Sequence, residues 1–266
     1  MDNFVNERDY ELLEGDKYTF FVLKRLFGGK NTLLLSDHER LIICFSEDPF
    51  PVWIWTPDDA TEEELERAYV LSKENGLMDG EHRFNIKYEL AEYFIQRAER
   101  DGLAFAVETN MFAYDNPAPI APGATCEGSL HQCTEEDIDE LVEFYDLFHH
   151  AIDADYESEE VYRKKATEGV AHGALYFWKD PEGRSVASCH WFPNNGMAAI
   201  GLVYTRPEAR RKHYAENLVY RVTMIAKEAG FLPMLYTDAD YVASNACYEK
   251  IGYILRGKLC TIACKK

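Results

Sequence analysis

Apolar side chains recur at two spacings along this 266-residue chain, and the switching between them predicts an order of elements. Over residues 10–27, Leu12, Leu13, Phe20, Phe21, Leu23 and Leu26 fall at loosely helical spacing, and Gly28-Gly29 breaks the run. Three short strand-like runs follow at 32–35, 41–45 and 52–55, joined by the polar segments Asp37-His38-Glu39-Arg40 and Glu47-Asp48-Pro49. Thr61-Glu62-Glu63-Glu64 reads as a capping box, in which Thr61 caps and Glu64 reaches back. The helix it opens carries Leu65, Ala68, Tyr69 and Ser72 towards Gly76. A second helix over 88–100 places Leu90, Ala91, Phe94, Ile95 and Ala98 on one face. Gly102 ends it, and residues 103–114 read as a long strand.

Asp115-Asn116-Pro117-Ala118-Pro119-Ile120-Ala121-Pro122-Gly123 has the composition of a linker. A strand at 129–132 and the helix signal Thr134-Glu135-Glu136-Asp137 come next, with Ile138, Leu141, Val142, Tyr145 and Phe148 on one stripe. A shorter helix is expected over 158–167. Strands at 173–178 and 185–192 are joined by a polar hairpin turn at 179–184. Asn194-Asn195-Gly196 then turns into a strand at 197–204, because Asn-Gly supplies the positive φ of a tight hairpin. Ala215, Leu218, Val219, Val222, Ile225 and Ala226 mark one buried helical face, and Gly230 stops that helix. Strands near 253–255 and 259–263 close the chain. The pattern predicts a first α/β domain over 1–115, a linker over 116–127 and a second domain over 128–266.

Composition narrows the classes. With 47% hydrophobic and 14% aromatic residues there is ample material for a core. No apolar run reaches the ~18 residues of a membrane helix, and the first residues lack a secretory pattern. A cytoplasmic protein without membrane association is therefore expected. Seven scattered cysteines without a C-x-x-C read as reduced thiols and not as a zinc site. The net charge of −19 argues against nucleic acid and favours cationic ligands. It is uneven: residues 1–127 carry 26 acidic against 12 basic side chains, residues 128–266 carry 21 against 16. His149-His150 with Asp153 and Asp155 has metal-ligand chemistry, but adjacent histidines point apart on a helix, so no metal is expected.

The most informative stretch is 201–215. A strand ending in Val203-Tyr204 turns at Pro207, presents Arg210, Arg211 and Lys212, and enters a helix. Free N–H groups and the helix dipole make such a junction a candidate anion site; the alternative is a solvated basic turn. Arg210-Arg211-Lys212-His213-Tyr214-Ala215 resembles the R/Q-x-x-G-x-G/A loop with which GNAT N-acetyltransferases hold the coenzyme A pyrophosphate. Leu235-Tyr236-Thr237-Asp238, followed by Ser244-Asn245-Ala246-Cys247-Tyr248-Glu249-Lys250-Ile251-Gly252-Tyr253, is similar to that family's next strand and helix. His213 stands where the family has its first glycine, and its side chain must turn away from the ligand.

The resemblance implies a mixed, largely antiparallel sheet flanked by helices over 128–266, an α/β (α+β) fold. It makes the first domain a degenerate GNAT-like half, whose acidic turn Pro57-Asp58-Asp59 would repel a pyrophosphate; an unrelated accessory domain is the alternative. It implies acetyl-CoA as cosubstrate and transfer to a small, cationic amine by direct attack on the thioester. Leu202, Val203 and Tyr204 would hold the pantetheine arm or carbonyl through backbone N–H groups. Residues Arg210, Arg211, Lys212, His213, Tyr214 and Ala215 would wrap the pyrophosphate, and Asn245 would contact the arm. Tyr248 would be the acid towards sulfur, since a phenol of pKa ~10 stays protonated at neutral pH. For the base, His190 is the candidate by type, with Asp238 and Asp240 as alternatives that equally well fix a loop. No covalent acyl-enzyme is expected at Cys189 or Cys247. The expected assembly is a monomer or homodimer. Two other classes stay open: a GNAT-like acyl-CoA sensor without turnover, and a protein-interaction module of the acidic first domain.

Overall fold

The computed structural model describes residues 1–152 and 157–265; Asp153 and Asp155 of the histidine-aspartate cluster lie outside the described residues. In chain order the elements are α1 (Glu7–Leu12), α2 (Phe21–Leu26), β1 (Leu33–Ser36), β2 (Ile42–Phe45), β3 (Val52–Trp55), α3 (Glu62–Glu74), β4 (Phe84–Ile86), α4 (Tyr88–Glu99) and β5 (Phe105–Asp115). They continue with β6 (Ser129–Gln132), α5 (Ile138–Ala151), α6 (Glu159–Ala171), β7 (Leu175–Lys179), β8 (Ser185–Asn194), β9 (Met197–Thr205), α7 (Tyr214–Glu228), β10 (Leu232–Asp238), α8 (Val242–Lys250) and β11 (Ile254–Cys264). The chain forms two compact units. One comprises Met1–Tyr114, Tyr236–Val242 and Leu255–Lys266; the other comprises Asp115–Leu235 and Ala243–Ile254.

In the first unit the strand order is β1-β2-β3-β4-β11-β5. β1, β2 and β3 are antiparallel neighbours, α3 crosses over to bring β4 parallel to β3, and β11 runs antiparallel to β4. Alternation along these strands feeds two cores. Ile43, Phe45, Val52 and Ile54 pack with Ala68 and Tyr69 of α3 and Phe94 of α4. Ile42, Cys44, Trp53 and Trp55 pack with Leu13, Phe20 and Leu23. Strands buried on both faces read as continuous apolar runs. The capping box forms as expected: Thr61 and Glu64 exchange backbone contacts, so the N-terminus of α3 is satisfied by its own side chains.

Three local expectations are revised. The 10–27 segment is two short helices, because the turn between them delivers Asp16 to Trp55 Nε1 (2.7 Å) and Lys87 Nζ (2.6 Å). The three-residue β4 is too short to register as a periodic run. β11 is one strand and not two, because Gly257 does not break it. A Cβ there would lie 1.9 Å from Thr19 Oγ1, so glycine answers a close approach.

His38 gives this unit a pH dependence. Its Nδ1 lies 2.7 Å from Asp9 Oδ2 and its Nε2 3.1 Å from Asp2 Oδ2. The hydrogen bond to Asp9, then that to Asp2, raises its pKa above the usual 6.5. A raised folded-state pKa stabilises below the unfolded value, and that stabilisation disappears as pH climbs through the folded value. The melting temperature is expected to fall between about pH 6 and about pH 9 by more in the wild type than in His38→Asn. Asn is chosen because it tolerates the positive φ (60°) of this position. Equal pH slopes would refute the assignment.

The second unit carries the order β10-β9-β8-β7-β6. β6 to β9 form an antiparallel meander, and α7 crosses over to place β10 parallel to β9. The same meander, crossover and helix order thus occurs in both units. α5 and α6 cover one face, where Leu141, Phe144 and Tyr162 pack on Leu175, Phe177, Leu202 and Tyr204. α7 contacts β8 and β9 and buries Leu218, Val219, Val222 and Ala226. Residues 116–127 are laid against this unit and do not hang free. The Asn116 N–H donates to the Pro233 carbonyl (2.8 Å), the Ile120 N–H to that of Ile251 (2.9 Å) and Asn217 Nδ2 to that of Ala124 (3.0 Å).

Candidate functional site

β9 sets the geometry. It pairs with β10 only at its start, where Leu232, Pro233 and Met234 oppose Met197, Ala198 and Ala199. On the other side its ladder with β8 changes register: His190 opposes Gly201, but Ser188 opposes Tyr204. Two residues, Leu202 and Val203, therefore stand against the single Cys189, which is a β-bulge. Leu202 holds a left-handed φ of 50°, a strained state for a branched, buried side chain. The Ser188 hydroxyl donates to the Leu202 carbonyl (2.8 Å) and fixes the bulge. Such an insertion takes backbone groups out of the ladder and re-aims them, here beyond the last residue that β10 pairs.

After β9 the backbone makes a 3-10 turn at Pro207–Ala209 and then alternates in hand. Arg210 is extended, while Arg211 and His213 both adopt φ of 63°. Successive N–H groups in such a path converge on an anion. His213 is the N-cap of α7 but makes no side-chain cap bond. The first turn of this 15-residue helix thus differs from that of α3, where Thr61 and Glu64 fill the same role. His213 takes the glycine-like conformation without being glycine, and its Nδ1 lies 3.3 Å from Glu216 Oε2. The side chain is turned along the helix. Arg210 Nε donates to the Thr205 carbonyl (3.2 Å), whereas Arg211 and Lys212 are exposed. Tyr214 is buried at the first helical position; burial, then the Asp180 carboxylate, raises its pKa.

Asn245 and Tyr248 occupy one buried face of α8, three residues apart. The Tyr248 ring lies 5.8 Å from that of Tyr253, whose hydroxyl meets Thr223 Oγ1 at 2.7 Å. His190 is half-buried on β8, with its ring 4.8 Å from that of Phe192. Burial, helped by the Lys165 charge, pulls its pKa down to about 4. Cys189 is fully buried and burial pushes its thiol far up; the Cys247 thiol is pushed up to about 12 for the same reason. All seven cysteines are free thiols.

The second unit therefore carries Leu202, Val203, Tyr204, Arg210, Arg211, Lys212, His213, Tyr214, Ala215, Asn245, Tyr248 and His190. Asp238 and Asp240 belong to the first unit. There Asp238 Oδ1 accepts from the Asp240 N–H (2.8 Å) and Asn110 Nδ2 donates to Asp240 Oδ2 (2.9 Å), contacts that fix a loop. The bulge and Ser188, which pins it, were not visible in the sequence, since a bulge leaves no change in hydrophobic alternation. Among the described residues no cluster of histidine, cysteine and carboxylate groups has the arrangement of a metal site.

Residues 138–253 match the model of the acetyltransferase (GNAT) family. No curated protein matches the sequence significantly. Among solved structures, a GNAT-family acetyltransferase from Colwellia psychrerythraea aligns over 100% of this chain and 99% of its own, with a TM-score of 0.62 and 13% identity. A GCN5-related N-acetyltransferase from Kribbella flavida aligns over 95% and 96%, also at 0.62 and 13%. One from Sphaerobacter thermophilus gives the same score and identity over 91% and 83%. These likenesses establish the fold along both units. The meander, the crossover helix and the matched stretch coincide in the second unit, whose residues 138–253 are similar to the GNAT family of acetyltransferases.

Proposed function

We propose that the protein transfers an acetyl group from acetyl-CoA to a small amine. The observation that carries this reading is the junction of β9 and α7. A pinned bulge is followed by a left-handed loop and by a long helix whose N-terminus no cap side chain fills. The bulge backbone would hold the pantetheine arm and carbonyl, and residues 210–215 with Asn245 would hold the pyrophosphate and arm. Acetyl-CoA supplies the activated thioester.

The chain's own groups divide the remaining work. Tyr248 would give its proton to the departing sulfur. Cys189 and Cys247 stay protonated through burial, which supports direct attack by the amine and not an acyl-cysteine intermediate. A recess of about 530 Å³ between α5 and α6 is lined by Asp139, Glu143, Asp146, Glu157 and Glu159. Arg163, Lys165 and Arg206 pair with Asp139, Glu159, Glu157 and Glu143 there, so the preference for a cationic acceptor rests on the chain's net charge of −19.

The test is calorimetric titration with acetyl-CoA and coenzyme A. The wild type is expected to bind both, and the Arg211→Ala/Lys212→Ala protein to bind at least about tenfold more weakly, because two charge-assisted contacts are removed. The loss should shrink at high salt. A folded wild type that binds neither would end this reading and direct attention to partners of the first unit. Binding without thiol release over a broad amine panel would favour an acyl-CoA sensor.

A further inference from the structure

The His190 side chain stands on β8 opposite Gly201 of β9. Its ring lies over Gly201, the residue before the bulge: a Cβ on Gly201 would fall 2.4 Å from His190 Nε2. The Nε2 edge of the ring is thus packed over the β9 backbone at Gly201, next to Leu202. The opposite nitrogen, Nδ1, is buried and has no hydrogen-bond partner among the described residues.

This asymmetry decides the tautomer. A neutral imidazole carries one N–H and one bare lone pair. Burying an N–H without an acceptor is the costlier choice, and orphaned buried N–H groups are rarer than under-satisfied acceptors. The proton therefore sits on Nε2. We infer that His190 is a neutral hydrogen-bond donor whose Nε2–H joins the bulge backbone in holding the acyl carbonyl oxygen, and that it is not the proton acceptor for the amine. The inference rests on the acetyl-transfer reading above and assigns His190 a different role from the base expected by residue type.

Two further facts agree. An imidazole held at about 4 would take a proton from an alkylammonium roughly a million-fold uphill. A donor that stays neutral, by contrast, strengthens its bond as charge develops on the carbonyl oxygen and needs no reorganisation. Glycine at 201 is explained as well, since any larger side chain would displace the ring.

The experiment is two-bond 1H–15N NMR on protein labelled with 15N-histidine, with His190 assigned by difference from His190→Gln. Free protein at neutral pH is expected to show Nε2 protonated and Nδ1 bare. The Nε2 signal should move on adding acetyl-CoA and not on adding coenzyme A, which lacks the carbonyl. A proton on Nδ1, a cationic ring, or equal responses to the two ligands when calorimetry shows both bound would overturn the inference. Absence of binding by either ligand would instead overturn the acetyl-transfer reading, and the donor role with it. In turnover, His190→Gln keeps an N–H near the Nε2 position and is expected within about tenfold of wild type. His190→Ala should lose about a hundredfold in kcat. Equal losses in both variants would refute the donor and restore a base.

Discussion

Tyr248→Phe is expected to lower kcat for thiol release by about a hundredfold, leaving the acetyl-CoA dissociation constant within about twofold. The substitution removes one hydroxyl and keeps the ring. The buried face that Tyr248 shares with Asn245, and its contact with the Tyr253 ring, therefore persist. What is lost, on the acetyl-transfer reading proposed above, is the proton donor towards sulfur. A departing thiolate can still be protonated by water, so activity should fall without vanishing. Steady-state kinetics with a thiol reagent, beside calorimetry on the same protein, separate the two effects. An unchanged kcat would make Tyr248 a packing residue only. A kcat loss accompanied by an equal loss of affinity would point to a distorted α8.

Gly128→Ala is expected to destabilise the second unit by about 3 kcal/mol or more, a value at the upper end of single substitutions. Gly128 has a φ of 94°, where a side chain is strained, and an added Cβ would lie 2.1 Å from the Lys179 carbonyl oxygen and 3.0 Å from the Asp180 Cα. Both obstacles are main chain and cannot swing aside. Relief requires β6 to move off β7, although Ser129 is in register with Lys179 and Trp178 Nε1 donates to the adjacent Glu127 carbonyl (2.9 Å). The control is Gly123→Ala, where nothing lies within 4 Å and φ is not positive; it should be neutral or slightly stabilising. Melting curves should separate the variants by about 6–12 °C, given the size of the unit. Equal melting temperatures would show that the hairpin at 179–184 yields easily.

The elements legible in the sequence were those with a strong local signature. Thr61-Glu64 announced α3, the stripe from Leu218 to Ala226 announced α7, and Asn195-Gly196 announced the β8–β9 hairpin, because caps, stripes and tight turns are written in adjacent residues. The cationic loop and the Asn245/Tyr248 pair were legible for the same reason. What escaped depends on partners distant along the chain. β4 is three residues long and owes its place to β3 and β11. The bulge at Leu202 is a mismatch between two strands, and neither strand shows it alone. His190 illustrates the limit most clearly: residue type suggested a base, but burial and the absence of a side chain at Gly201 give it a donor's geometry. Residues 116–127 had a linker's composition, yet the Pro117 and Ala124 carbonyls accept from Lys227 and Asn217 of α7, and the Asn116 side chain and Ile120 N–H donate to the Ile251 carbonyl after α8.

β11 lies between β4 and β5 in the sheet of the first unit, although more than a hundred residues of the second unit precede it in the chain. During synthesis from the N-terminus, β4 and β5 emerge without the strand that separates them. The first unit therefore cannot close its sheet until the ribosome has passed residue 264, whereas the meander from β6 to β9 and its crossover helix are complete earlier. Termination of synthesis within residues 255–264 should damage the N-terminal unit and not the C-terminal one. In this chain the order of translation and the order of structural completion are reversed.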